Sequence, residues 1–179
     1  IAKSKRVKTI DKIIDAIFQV QGGYALTMMT NKKLVGIRDP YGIRPLVLGK
    51  LKDSYILSSE TCALDIIGAD FIREIENGEI VVIDKNGVES IKPFPKVPAR
   101  PCVFEYVYFS RPDSIVGGKA VHEYRKKLGE ELAKELSIDA DIVSAVPDSG
   151  IPAAIGYSNQ SKITYDMGII RNHYVGRTF

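Results

Sequence analysis

Two fold classes in succession are predicted, an α+β part over residues 1–95 and an α/β part over residues 96–179. Three observations predict them. Short β-type runs separated by turn residues fill most of the first 92 residues. The stretch Lys92–Pro101 (KPFPKVPARP) then places four prolines in ten residues, which withholds ladder donors and disfavours helix, so it reads as a connector. Beyond it come a long helical pattern, a short apolar strand, a tight turn and a second helix, the order of a β–α unit in a parallel sheet.

The elements follow in order. Ile10, Ile13, Ile14, Ile17 and Phe18 keep the 3.6-residue period of an amphipathic helix that Thr9 is placed to cap, with Gly22-Gly23 to end it. Tyr24–Thr30 and Leu34–Ile37 flank Asn31-Lys32-Lys33, a hairpin loop. Leu46–Leu48 and Tyr55–Ser58 flank a polar loop containing Lys52-Asp53, and Thr61–Ile67 reads as a short helix. Glu79–Asp84 and Val88–Ile91 flank Lys85-Asn86-Gly87, and Asn-Gly is a strong hairpin signal. In the second part, alternation over Val103–Phe109 predicts a strand. Val121–Leu136 reads as a long amphipathic helix, Asp141–Ala145 as a strand, and Ile151–Tyr157 as a helix opened by Asp148-Ser149-Gly150.

Composition narrows the function classes. The net charge of +3, from 25 basic and 22 acidic residues, is too small to argue for nucleic acid. The cluster Lys3, Lys5, Arg6 and Lys8 is accounted for by a solvated face. Two cysteines, Cys62 and Cys102, without a short-spaced pair give no disulfide framework and suit a reducing, cytoplasmic setting. No apolar run approaches the roughly 20 residues that span a bilayer, and no signal peptide pattern is present. Both ends, Ile1 and Phe179, read as cut.

Four motifs carry chemistry. Arg38–Leu46 (RDPYGIRPL) sets two arginines in a turn-rich loop, followed by Ser58-Ser59-Glu60. Arg100–Ser114 (RPCVFEYVYFSRPDS) combines a cysteine, four aromatics and Glu105, a carboxylate that needs a partner if buried. Val146–Gly150 (VPDSG) lies at the strand-to-helix turn, where open α/β sheets bind ligands and a helix N-terminus favours phosphate. Asp148 or Ser149 capping the helix would explain it equally. Ile170–Phe179 (IRNHYVGRTF) is a basic, glycine-hinged segment able to fold over an anion.

Taken together, in this order, these strings resemble the glutamine phosphoribosylpyrophosphate amidotransferases. The resemblance implies part of an N-terminal-nucleophile glutaminase domain, a four-layer αββα sandwich, over 1–95. It implies the junction and first part of a type I phosphoribosyltransferase domain over 96–179. The implied parent enzyme, a pentosyltransferase, converts phosphoribosylpyrophosphate, glutamine and water to 5-phosphoribosylamine, glutamate and pyrophosphate in purine biosynthesis. The family's nucleophilic N-terminal cysteine and its glutamine-binding residues do not occur in the given sequence. No catalytic residue is therefore assigned to the glutaminase part, and the 179 residues are not expected to turn over alone. Cys62, in an apolar helix, is expected in the core.

For the second part the resemblance implies a substrate-closing loop with Arg171, Tyr174, Gly176 and Arg177. The usual string has a lysine and an arginine where Arg171 and His173 stand, which changes geometry at one and charge at the other. It implies Ser149 as a hydroxyl contacting Mg²⁺, and domain coupling by Glu105, Tyr106, Tyr108 and Arg111. Some members bind a [4Fe–4S] cluster whose first ligand aligns with Cys102, whereas cluster-free members also keep a cysteine there. Purine nucleotides are the implied feedback inhibitors, and a homotetramer the implied assembly, without nucleic acid or membrane. A different glutamine-dependent synthase sharing RDPYGIRPL, or a non-catalytic regulator on a phosphoribosyltransferase fold, stays open at this point.

Overall fold

The residues Ile80–Asp84 alternate between two destinations, and that alternation organises the first part of the molecule. A computed structural model describes residues 1–136 and 138–176, and the chain divides into two units, Ile1–Cys102 and Val103–Phe179. The first unit holds α1 (Thr9–Ile17), β1 (Ala25–Met29), β2 (Leu34–Arg38), β3 (Val47–Leu51), β4 (Ser54–Ser58), α2 (Thr61–Ile67), β5 (Asp70–Glu74), β6 (Ile80–Asp84) and β7 (Gly87–Ile91). Two antiparallel sheets result, ordered β1-β2-β6-β7 and β4-β3-β5.

Ile80 and Val82 join Val35 and Ile37 beneath Ile13 and Ile17 of α1. Val81, one step out of phase, packs with Leu46, Leu48 and Ile75, and Ile83 lies against the same cluster. Val47 points the other way, to Leu64 of α2 and Ala69. Period-two alternation thus produces helix, sheet, sheet and helix in layers, the αββα arrangement expected. Each fully buried aliphatic side chain contributes about 1.5–3 kcal/mol. The sheets approach closely at Gly36, where an added Cβ would lie 2.8 Å from Leu57 Cδ1. Cys62 is 4% exposed, in the core as expected.

Local readings are corrected in three places. Lys8, extended, holds the N-cap position of α1 without a side-chain cap, so Thr9 is its first helical residue. The helix stops at Ile17, before Gly22-Gly23, and Phe18 at the C-cap turns its ring to Phe94 at 4.8 Å. The edge strand β5 has no counterpart in the sequence reading. Its first three residues are all exposed, and a register shift opposite Leu48 and Gly49 breaks its pairing, so no alternation marks it.

The second unit contains β8 (Ile115–Val116), β9 (Lys119–Ala120), α3 (Val121–Glu135), β10 (Ile142–Val143), α4 (Ile151–Ser161) and β11 (Thr164–Tyr165). Gly117 and Gly118, both at positive φ, close the β8–β9 hairpin. β10 and β11 pair in parallel across α4, a β–α–β unit. One expectation fails. Val103–Phe109 is not a strand but leads into a π-helical turn, Glu105–Phe109. The Ser110 amide donates to Glu105 O at 3.1 Å, and the buried Arg125 guanidinium donates to the carbonyls of Tyr106 (2.6 Å) and Ser110 (2.7 Å). Those donors satisfy carbonyls that a strand would have offered to a neighbour. Among the described residues no helix is long and apolar enough to cross a membrane.

Candidate functional site

In the second unit, the strand-to-helix turn after β10 forms a wall of an open cleft of about 1050 Å³. Its polar lining includes Arg111, Asp113, Arg125, Asp148, Ser149 and Arg171. The turn is tight because Gly150 donates its N–H back to Val146 O at 3.2 Å. A Cβ at Gly150 would sit 2.8 Å from that oxygen, so glycine is required by contact. Gly150 is also the N-cap residue of α4, and no side chain caps the helix. Neither Asp148 nor Ser149 is therefore spent on capping. Ser149 is exposed, and its hydroxyl has no partner among the described residues.

Charge in the cleft is arranged in pairs. Arg171 Nη1 stands 3.4 Å from Asp148 Oδ2. Arg111 grips Asp113 with both arms of its fork, Nε to Oδ1 at 3.0 Å and Nη2 to Oδ2 at 2.8 Å. These hydrogen bonds from Arg111 hold the Asp113 carboxyl below the usual carboxylate range. Arg125, only 3% exposed, fixes the π-turn that carries Tyr108 and Phe109 to the cleft. Guanidinium groups beside a helix N-terminus are the chemistry that can receive an anion.

The expected residues distribute unevenly. Ser149, Arg171, Gly176, Tyr108 and Arg111 all line the cleft, whereas Tyr174 is fully exposed and Arg177 lies outside the described residues. Glu105 and Tyr106 each make a hydrogen bond within the second unit. Glu105 accepts a hydrogen bond from Ser110 Oγ at 3.0 Å, and Tyr106 donates its hydroxyl to Val116 O at 2.9 Å. Tyr106 also packs its ring 4.7 Å from that of Tyr124. Cys102 is half-buried with a free thiol. No three His, Cys, Asp or Glu side chains converge as a metal site among the described residues.

Sequence reasoning missed Arg125 and Asp113, and weighed Asp148 only as a cap. A signal for Arg125 existed. The buried positions of α3 are Val121, Arg125, Gly129 and Ala133, so an arginine stands in the apolar stripe at four-residue spacing. The RDPYGIRPL loop, in the first unit, is an architectural device. Asp39, fully buried, accepts from the amides of Tyr24, Tyr41, Ile43 and Arg44 at 3.0–3.3 Å. Arg38 donates to the carbonyls of Arg44, Ile75 and Gly42.

No family model matches the chain. Individual proteins do. The amidophosphoribosyltransferase of Rhizobium etli is 56% identical over 184 residues, a match that takes in 100% of this chain and 37% of the relative. The chain belongs to the amidophosphoribosyltransferase family. Amidophosphoribosyltransferase 1, chloroplastic, of Arabidopsis thaliana is 49% identical across 100% of this chain and 32% of its own length. The B. subtilis glutamine phosphoribosylpyrophosphate amidotransferase, solved with ADP and GMP, superposes with a TM-score of 0.94 at 43% identity, covering 99% of this chain and 39% of that one. A structure described as the allosteric regulatory enzyme of purine biosynthesis gives a TM-score of 0.95 at 43% identity, over 99% of this chain and 38% of that one. This chain thus spans about a third of the length of the curated amidophosphoribosyltransferases it matches.

Proposed function

We propose that the chain supplies part of the phosphoribosylpyrophosphate site of an amidophosphoribosyltransferase. In the whole protein, glutamine is hydrolysed to glutamate and ammonia. The ammonia nitrogen then forms a bond to C1 of phosphoribosylpyrophosphate as the C1–O bond breaks and pyrophosphate leaves with the electron pair. A proton lost from nitrogen gives neutral 5-phosphoribosylamine. The observation that carries the reading is the uncapped, exposed Ser149 at the start of α4, facing a cleft that Arg171 shares.

The residues fit a phosphate-bearing substrate. Arg171, held to Asp148 by an exposed pair, is free to exchange that carboxylate for a phosphate oxygen, a stronger and more specific partner. The N-terminal end of α4 favours the negative charge that grows on departing pyrophosphate. Tyr108 and Phe109 bring apolar surface to the same cleft, which limits water near C1. Loop closure by Arg171, Tyr174, Gly176 and Arg177, and coupling to glutamine hydrolysis through Glu105, Tyr106, Tyr108 and Arg111, belong to the same reading. Holding ammonia near C1 replaces a dilute encounter by an effective concentration on the order of 10⁵ M or more.

Mg²⁺ fits the donors at hand. Ser149 offers one oxygen, and no carboxylate cluster surrounds it among the described residues. A hydroxyl oxygen suits an ion which keeps several waters and takes its other ligands from carboxylates and substrate phosphates. When bound, it would polarise the leaving pyrophosphate. A [4Fe–4S] cluster takes four thiolates, and Cys62 is buried in the core. Cys102 is the one ligand these residues could give. Feedback by purine nucleotides, a homotetramer and a cytoplasmic setting complete the reading. Some relatives are chloroplastic by name.

The test is direct. Full-length protein given Mg²⁺, phosphoribosylpyrophosphate and either glutamine or ammonia should release pyrophosphate, with one glutamate per pyrophosphate in the glutamine reaction. No pyrophosphate with either nitrogen donor would sink the proposal.

A further inference from the structure

The proline-rich connector is a strap fastened at both ends of its run across the first unit. At its start Lys92 Nζ meets Glu76 Oε2 at 2.6 Å, and Phe94 seats against Phe18 and the α1 core cluster. At its far end the Arg100 amide donates to Tyr41 O at 2.8 Å and the Cys102 amide to Ile43 O at 3.3 Å. The Arg100 guanidinium also lies over the Tyr41 ring, 5.5 Å from its centroid. Between these fastenings residues 95–99 line a groove of about 640 Å³ with Pro40, Glu74 and Asn77. Among the described residues the main chain from 93 to 99 takes part in no hydrogen bond.

The anchor for the far end is unusually stiff. Tyr41 and Ile43 belong to the loop whose amides converge on the Asp39 carboxylate. Asn77 Nδ2 reaches Tyr41 O as well, at 3.4 Å. Gly42 between them has φ of 63°, and a Cβ there would collide with the Asn77 side chain. The alternating bonds at Arg100 and Cys102 form a short two-rung ladder on this loop. The first unit ends at Cys102, and the next residue opens the second.

We infer that the ladder of Arg100 and Cys102 on Tyr41 and Ile43 is a clip, and that Tyr41 and Arg100 are positioning residues for coupling the two half-reactions. The inference rests on the proposed amidotransferase reading. The clip fixes where the covalent link leaves the glutaminase part. A loosened strap costs use of ammonia made from glutamine and leaves use of ammonia from solution intact.

The experiment measures both reactions of the full-length protein, glutamine-dependent and ammonia-dependent 5-phosphoribosylamine synthesis, and takes their ratio. Arg100→Ala and Tyr41→Ala each lower the ratio about 2–5-fold, the worth of an exposed cation–π contact. Arg100→Pro removes the amide donor and lowers it further. Tyr41→Phe keeps the ring and restores the wild-type ratio. An unchanged ratio in both alanine variants, or an equal fall in Tyr41→Phe, overturns the clip. A wild-type protein with neither reaction would instead defeat the amidotransferase reading.

Discussion

Gly129 of α3 and Gly156 of α4 let two helices touch backbone to backbone. A Cβ on Gly129 would collide with the carbonyl of Ala153, and one on Gly156 with the carbonyl of Lys126. The crossing matters beyond packing. α4 carries the Asp148–Gly150 turn at its start, and α3 carries Arg125, so this contact sets the spacing of two walls of the cleft.

Alanine is the better helix former by about 1 kcal/mol, yet Gly129→Ala and Gly156→Ala should both destabilise. Overpacking against rigid backbone costs about 1–3 kcal/mol or more, which exceeds the propensity gain. Chemical denaturation of each variant checks this. Neutral or raised stability would mean that the helices do not meet at these glycines.

Arg125→Lys should be destabilising by about 2–4 kcal/mol, although it conserves charge. Lysine cannot present two fixed N–H groups to the Tyr106 and Ser110 carbonyls, and each charged hydrogen bond is worth about 1.5–3 kcal/mol. Amide exchange should accelerate first at Ser110, whose N–H closes the π-turn.

Glu79 ties acid stability to the first unit. Burial works against its charged form, but hydrogen bonds from Arg73, from Ser90 Oγ (2.7 Å) and from the Glu76 amide (2.7 Å) together outweigh burial. Its carboxyl is held below the ordinary value of 4.5. The folded state therefore releases this proton more readily than the unfolded one. The resulting stability is whole above about pH 4.5 and is lost as pH falls through the lowered pKa. Glu79→Gln should cost about 1–3 kcal/mol at neutral pH and flatten the fall in Tm below pH 4.5.

Gly150→Ala tests the geometry of the turn without changing any charge. The new methyl displaces Val146 O or the turn itself. A misplacement of about 1 Å at a reacting site can cost 10²-fold, so kcat/KM for phosphoribosylpyrophosphate in the full-length protein should fall by about 10–100-fold. Circular dichroism should show the helices retained.

The layers of the first unit were legible because Ile13–Ile17 keep the 3.6-residue period, and because the apolar run Ile80–Ile83, buried on both faces, is bounded by the Asn86-Gly87 turn. β5 was illegible because an edge strand with a bulge and three exposed residues carries no such pattern. Val103–Phe109 misled for a physical reason. Alternating aromatics fit a pleat, but the donor that decides the outcome, Arg125, is more than ten residues away in sequence. At the cleft, Ser149 and Arg171 were readable from motifs. Asp148 as the partner of Arg171 emerges only when the loop is folded back.

The central claim is that this cleft holds phosphoribosylpyrophosphate through Arg171 beside Ser149. Calorimetric titration of the Mg²⁺–phosphoribosylpyrophosphate complex into full-length protein, wild type against Arg171→Ala, tests it most directly. Loss of a charge-assisted contact worth about 1.5–3 kcal/mol predicts an affinity lowered roughly 10- to 100-fold. Equal affinities for the two proteins would contradict the account.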